Sequence, residues 1–461
     1  MQPLKLSDIC RAMEAPSGGM TADREITKIA IDSRTVSGGE LFWALKGQRH
    51  DGHEFVEQAL RAGAAAAVVR RDFAGPEQRD RLVAVADTLA ALGRLAGWYR
   101  RRMPATVVGV TGSVGKTSTR EMIDAVLKRH LPGTQSPRSY NNSVGVPLSV
   151  LQIEAEHRYA VVELGTSRPG EIAALAVIAR PNIGVMTCIG EAHLDGLGDL
   201  AGVARAKGEL LEALPADGTA VLNGDDPWLR QIASRAPCKV IWVGSGADCS
   251  LRATQVEPQG TRLRFVAGGQ RFEMPAVGRH HVQGALLALA VGGLFGLTLK
   301  QMAGALADYE GPPMRCQLAE LHGVAIINDA YNANPLSMRA AVEALRDWPT
   351  DGRRVLLVGD MLELGTEARV HHERLGRVVA QSKIDAVIAV GELSRSLIAA
   401  ARSEGMSAER ARHADSIADA ADWLAGRLRP GDVLLVKGSR AMGMERAIDL
   451  LRAQREMPRA A

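Results

Sequence analysis

Five cysteines in 461 residues, odd in number and widely spaced, leave no basis for a disulfide framework. Cys10, Cys188, Cys238, Cys249 and Cys316 include no C-x-x-C pair, which speaks against a zinc site and for a reducing compartment. An excess of one charge is missing too. Lys and Arg total 56 against 52 Asp and Glu, and a formal balance of +4 is too small to imply nucleic acid as a partner. The arginines are scattered, and their densest run, YRRRMP from Tyr99 to Pro104, reads as the solvated end of a connecting helix. No apolar run is long enough for a membrane span. The nearest, GALLALAVGGLFGLTL from Gly284 to Leu299, is short and rich in glycine and reads as a buried helix. The start, MQPLKLSDIC, lacks the basic beginning and apolar stretch of a secretory signal, so a cytoplasmic location is expected.

What is present is the composition of a folded protein, 46% hydrophobic and 23% charged, in a chain too long for one ordinary core. The pattern predicts an α/β protein of three domains. In residues 1–85, LFWAL and AAAAVV surround the polar stretch KGQRHDGHEF, which suggests a small α/β unit. In residues 86–312, a helical DTLAALGRLAGWYRR precedes the strand pattern ATVVGV. YAVVEL, NIGVMTCI and TAVLN then alternate with helical stretches, as in a parallel sheet. In residues 313–461, GVAIIND, RVLLVGD, DAVIAVG and DVLLVKG predict a separately wound, Rossmann-like sheet. Only the tail REMPRAA has the composition of a disordered segment.

GVTGSVGKTSTR, Gly109 to Arg120, joins a strand to a helix in the manner of a phosphate cradle. Backbone amides of Gly112, Ser113, Val114, Gly115 and Ser118 can converge on an anion, Lys116 adds a point charge, and the Thr117 hydroxyl can ligate magnesium. Met122, Ile123, Val126 and Leu127 supply the apolar stripe of the helix that follows. Val110 occupies the place of the first glycine of a standard Walker loop, so the loop is a variant. Glu163 ends the strand pattern YAVVEL, where ligands of parallel sheets gather, and its carboxylate suits a hard cation. Lys207 shares one helical face with Val203, Leu210, Leu211 and Leu214. Either it snorkels outward, or it is a desolvated amine of depressed pKa able to take up carbon dioxide as a carbamate. His193, just before that helix, is a candidate to join a metal cluster.

TGSVGKTS, YNNSVGVPLSVL, VVELGTSRPGEI, AHLDGLGDLAGVARAKGEL, NDAYNANP, GDMLELG and VKGSRAMGME, with IDSR and LFWALKGQRHDGHEF before them, resemble the Mur ligase family across almost the whole chain. Within it they look like the member that joins D-alanyl-D-alanine to UDP-N-acetylmuramoyl-tripeptide. The resemblance implies that the first domain holds the uridine nucleotide sugar, with Ser33, Arg34 and Lys46 in the matching motifs. It implies ATP on the cradle, with Lys116 on the terminal phosphates. Thr117 and Glu163 would hold one Mg2+, and His193 with a carbamylated Lys207 would help to hold a second. Asn141 and Asn142 match a segment near the acceptor, Arg315 would reach the γ-phosphate, and Asp329 the ribose; Asn332 and Asn334 match the region of the incoming dipeptide. Lys116, His193, Lys207 and Arg315 would thus be the catalytic set. One motif departs: Gly-x-His-Asn-x-x-Asn reads GRHHVQG, with His281 and Gly284 in place of both asparagines on the adenine side.

The implied reaction passes the γ-phosphate to the tripeptide carboxylate, and the dipeptide amine then attacks the acyl phosphate. Closure of the third domain over the second is expected to exclude water. A monomer is expected. The nearest rival reading is another ligase of the family, acting on folate or on the shorter muramyl peptide, against which NDAYNANP and VKGSRAMGME argue; the rival of a different class is a regulatory ATPase that forms no bond. The third residue of the tripeptide, meso-diaminopimelate or lysine, and the general base are left open by the sequence.

Overall fold

Runs of β-branched and small apolar residues bury both faces of a strand, and the segments between them must fold back as covering helices. In the computed structural model, which describes residues 1–15, 23–47, 49–74 and 79–456, this logic yields three main sheets beside a two-stranded ribbon. The first sheet is four parallel strands in the order Ile29–Ala30, Leu41–Trp43, Ala66–Arg70 and Leu82–Val85.

The helix Thr88–Arg100 then leads into the second sheet, its start capped by Asp87, which accepts from the N–H groups of Leu89 and Ala90. Trp43, fully buried, donates its indole N–H to the Thr88 carbonyl at 2.8 Å. Leu92 and Leu95 belong to a core that runs from Leu6 and Trp43 through to Val107 and Leu210. The division at residue 85 is therefore a change of sheet rather than a gap in packing. The basic run at the end of this helix is only partly solvated. Arg100 is buried and donates to the Ala179 carbonyl at 2.9 Å, because a guanidinium can satisfy several orphan carbonyls at once.

The second sheet has nine strands. Lys239–Gly244, Thr219–Asn223, Ile183–Met186, Thr106–Thr111, Tyr159–Glu163 and Gly133–Gln135 lie parallel in that order. Leu251–Gln259 continues them in parallel, and Arg262–Ala267 and Gln270–Pro275 add an antiparallel edge, which the parallel reading lacked. Arg262–Ala267 alternates exposed and buried residues because only one of its faces is covered. The apolar run that reads as one helix is in fact two. The helix His281–Leu294 stops before Gly296, whose φ is +81°, and the helix Leu299–Ala307 restarts behind a Thr298–Gln301 capping box.

The third sheet orders Gln317–Leu321, Val324–Asp329, Val433–Lys437, Arg354–Gly359, Ala386–Val390 and Ala411–Ala414, antiparallel for the first pair and parallel thereafter. Among the described residues no helix is long and apolar enough to cross a membrane. Residues 457–461 of the tail fall outside the described residues.

Candidate active site

The strand Thr106–Thr111 runs between Tyr159–Glu163 and Ile183–Met186, with the next strand in sequence at the far edge. The chain builds two strands on one side of it and then crosses to Ile183–Met186 on the other, so its carboxyl end opens into the crevice where such sheets bind ligands. There Gly112 takes φ +146°, and a Cβ on it would overlap the Thr187 side chain, so only glycine fits. Gly115 takes φ +84° and starts the helix Lys116–Lys128. Met122, Ile123, Val126 and Leu127 are wholly buried and anchor that helix, each worth roughly 1.5–3 kcal/mol. Lys116 arches back and donates from Nζ to the Gly112 carbonyl at 2.8 Å. Burial pushes its pKa down, with Glu163 opposing and Arg315 reinforcing the effect.

Thr117 sits directly behind, buried, donating from Oγ1 to Glu163 Oε2 at 2.9 Å. The other Glu163 oxygen accepts from Asn141 Nδ2 at 2.8 Å, and Arg120 lies 3.6 Å from Oε2. A carboxylate 1% exposed is thereby held in place by neutral and cationic groups from two segments, the helix Lys116–Lys128 and the loop of Asn141. Arg315, from the linker into the third sheet, donates from Nη2 to Thr117 Oγ1 at 3.0 Å and lies 4.1 Å over the Tyr331 ring. Tyr331 in turn donates its hydroxyl to Ser139 at 2.6 Å. These contacts tie the central and C-terminal parts together across a cleft of about 800 Å3.

Asp329 closes the far wall, its Oδ2 taken by Lys437 Nζ at 2.6 Å and its Oδ1 by the Cys316 N–H at 3.2 Å. Asn332 and Asn334 also line the cleft, but Asn334 caps the helix Pro335–Arg346 in a reciprocal pair with Ser337. Asn142 likewise commits its carbonyl oxygen to the N–H groups of Val144 and Gly145. His193 holds a left-handed backbone, φ +55°, and pairs through Nδ1 with Glu363 of the C-terminal part at 2.6 Å. Burial pushes its pKa down, and Lys116 adds to that against the pull of Glu363.

Lys207 does not snorkel. Its side chain is 0% exposed, and Nζ finds no hydrogen-bond partner among the described residues. Burial, with Lys116 adding, pushes the amine down to about 7. Gly284, a departure on sequence grounds, has a packing reason: a Cβ there would stand 3.0 Å from Thr119 Oγ1 and 3.2 Å from Met122 Sδ. His281 lines the cleft beside it.

Gly112 and the buried Lys207 lie behind the cleft lining rather than in it, and Ser33, Arg34 and Lys46 lie away from it altogether. All three belong to the first part, where Ser33 donates to Gln58 at 3.1 Å and Arg34 pairs with Asp32 at 2.6 Å. The exposed Lys46 bridges through its backbone to Asp51. Residues that sequence reasoning left without a role are Tyr331, Glu363, Lys437, His280 and Cys316. The first four lie inside motifs quoted for the resemblance or its departure; Cys316 carried no signal beyond following Arg315.

A variant phosphate loop, a buried Thr–Glu pair and an arginine delivered from a second α/β sheet define a nucleotide-dependent enzyme whose cleft is shared by two domains. Family models fit the chain almost end to end: the Mur ligase family catalytic domain over residues 25–100, the Mur ligase middle domain over 110–292, and the Mur ligase glutamate ligase domain over 314–440. The UDP-N-acetylmuramoyl-tripeptide--D-alanyl-D-alanine ligase of Bacillus subtilis is 37% identical over 91% of this chain and 92% of its own length. A crystal structure of MurF from Acinetobacter baumannii superposes with a TM-score of 0.90 at 30% identity, covering 98% of this chain and 99% of that one. The MurF ligase of Thermotoga maritima in complex with ADP superposes with a TM-score of 0.82 at 30% identity, covering 93% and 98%. The chain belongs to the Mur ligase family.

Proposed function

We propose that the chain is an ATP-dependent amide ligase joining D-alanyl-D-alanine to UDP-N-acetylmuramoyl-tripeptide, so forming the pentapeptide precursor for peptidoglycan and the cell wall. The observation that carries this reading is the convergence of Lys116 and Arg315 on one side of the Thr117–Glu163 pair, from two different domains, in a chain whose relatives of that name match over nine-tenths of its length. The labour divides as the sheets do. The first part takes the uridine nucleotide through Ser33, Arg34 and Lys46, the central part takes ATP, and the C-terminal part presents the dipeptide near Asn332 and Asn334.

Lys116 and Arg315 offset charge on the transferring phosphoryl group, and the loop amides of Ser113 to Ser118 hold its oxygens, so that positioning and electrostatics supply most of the rate. The tripeptide carboxylate takes the γ-phosphate and becomes an acyl phosphate. The dipeptide amine attacks its carbonyl and phosphate leaves. Asp329 faces the ribose, and its pairing with Lys437 orients it. The buried hydroxyl of Thr117 and carboxylate of Glu163 are hard oxygen donors that fit Mg2+, an ion that would neutralise phosphate charge there. The buried, unpartnered amine of Lys207 fits conversion to a carbamate, which with His193 would hold a second ion. The Ser139–Tyr331 and His193–Glu363 contacts join the central and C-terminal parts across the cleft, the arrangement a closed, water-excluding state requires.

Supplying ATP, Mg2+, the tripeptide nucleotide and the dipeptide together tests the reading by product mass. Labelled oxygen in the tripeptide carboxyl should appear in orthophosphate; phosphate release indifferent to both peptides would replace the ligase with a simple ATPase.

A further inference from the structure

The wide spacing of the cysteines in sequence argues against zinc, yet folding brings one of them beside two histidines. His280 and His281 stand at the start of the helix His281–Leu294, and Cys316 follows Arg315 on the other side of the linker into the third sheet. Their ligand atoms all lie within 4.8 Å of one another, with Cys316 Sγ 3.9 Å from His280 Nε2. Zn–S and Zn–N bonds of about 2.3 and 2.0 Å at tetrahedral angles put sulfur and nitrogen roughly 3.5 Å apart, within a small rotamer adjustment of that distance.

Three further features point the same way. His281 Nε2 is buried with no hydrogen-bond partner among the described residues, a donor set without an occupant to satisfy it. Gly278, at φ +86°, makes room for the neighbouring ring, since a Cβ there would lie 2.8 Å from His280 Nδ1. Met314 and Cys316 both hold left-handed backbone, φ +57° and +53°, a conformation that persists where the surroundings dictate it. The Asp329 carboxylate, accepting the Cys316 N–H, fixes that turn.

We propose that His280, His281 and Cys316 form a site for a thiophilic divalent cation of the zinc class, bridging the central and C-terminal parts in the wall of the cleft. Two imidazole nitrogens each give a lone pair, the Cys316 thiol gives its sulfur and releases its proton to solvent, and the fourth position is left to water. Soft sulfur and imidazole select zinc or cobalt, whereas the Thr117–Glu163 oxygens select magnesium, so the two sites do not compete for one ion. The site stands independently of the ligase reading, because it is measured by metal binding without nucleotide or peptide.

Cobalt is the probe. Titrating the metal-free full chain with Co2+ should give one tight equivalent with a thiolate charge-transfer band and tetrahedral visible bands, displaced by Zn2+. C316S should lose the charge-transfer band. H281N should weaken Zn2+ binding by about tenfold or more, while C249S, outside the cluster, should match the parent. Circular dichroism melts establish that each variant is folded, and a variant that is not folded is replaced by C316A or H281Q. A parent spectrum without the band, or equal Zn2+ affinity in C316S and the parent, overturns the site.

Discussion

The two walls of the cleft are both the carboxyl edges of twisted sheets, but they are built on different principles. The central wall is backbone and one buried carboxylate: Gly112, Gly115 and Lys116 come from a single turn, and Glu163 ends the adjacent strand. The C-terminal wall is side chains drawn from scattered segments and bound to each other, Asp329 to Lys437 at 2.6 Å and Asn334 to Ser337. A wall of backbone holds its shape without a ligand and spends its side chains on chemistry. A wall of paired side chains spends them partly on its own stability, so its substitutions should register in folding as well as in turnover.

Lys116→Ala is the sharpest break on the central side: turnover should fall by about three orders of magnitude, with the melting temperature nearly unchanged. Next comes Arg315→Ala, a cation from the C-terminal side that donates to Thr117. Its loss should cost about 10²–10³ in kcat, read in single-turnover assays of acyl phosphate formation. Lys207→Ala should cost about a hundredfold in kcat and recover in part with an added small carboxylate; an unchanged rate removes the carbamate. Because the Lys207 amine sits near 7 through burial, it is protonated below that pH and nucleophilic above it. Carbamate signal in 13C NMR with labelled bicarbonate should therefore rise as the pH climbs from about 6 to about 8. On the opposite wall, Asp329→Ala strands a buried Lys437 and should destabilise the fold by about 1–3 kcal/mol, measured by urea unfolding. Asn334→Ala removes a helix cap, about 1 kcal/mol, with a rise in the apparent KM for the dipeptide. Equal melting temperatures on the two sides would erase the contrast.

Legibility follows the same division. The phosphate loop, the Glu163 strand end and the parallel order of the central strands are written in consecutive residues, because glycine spacing and period-two burial act over a few positions. Lys207 could not be settled that way: helical periodicity placed it on the apolar face, but whether its stem escaped to water depended on packing by the neighbouring elements. The antiparallel edge from Arg262 to Pro275 and the break at Gly296 were equally invisible to a reading that sorted only long apolar runs.

Composition, glycine placement and the alternation of strands and helices were enough by themselves to determine a three-part α/β chain with a glycine-rich turn at the head of the helix Lys116–Lys128. Tertiary structure alone decided that Arg315 meets Thr117, that Glu363 meets His193, and that Cys316 comes to rest beside His280. The physical reason is range: backbone preference and hydrophobic period are local, whereas charges and ligand atoms find one another only after distant strands have been stacked into the same crevice.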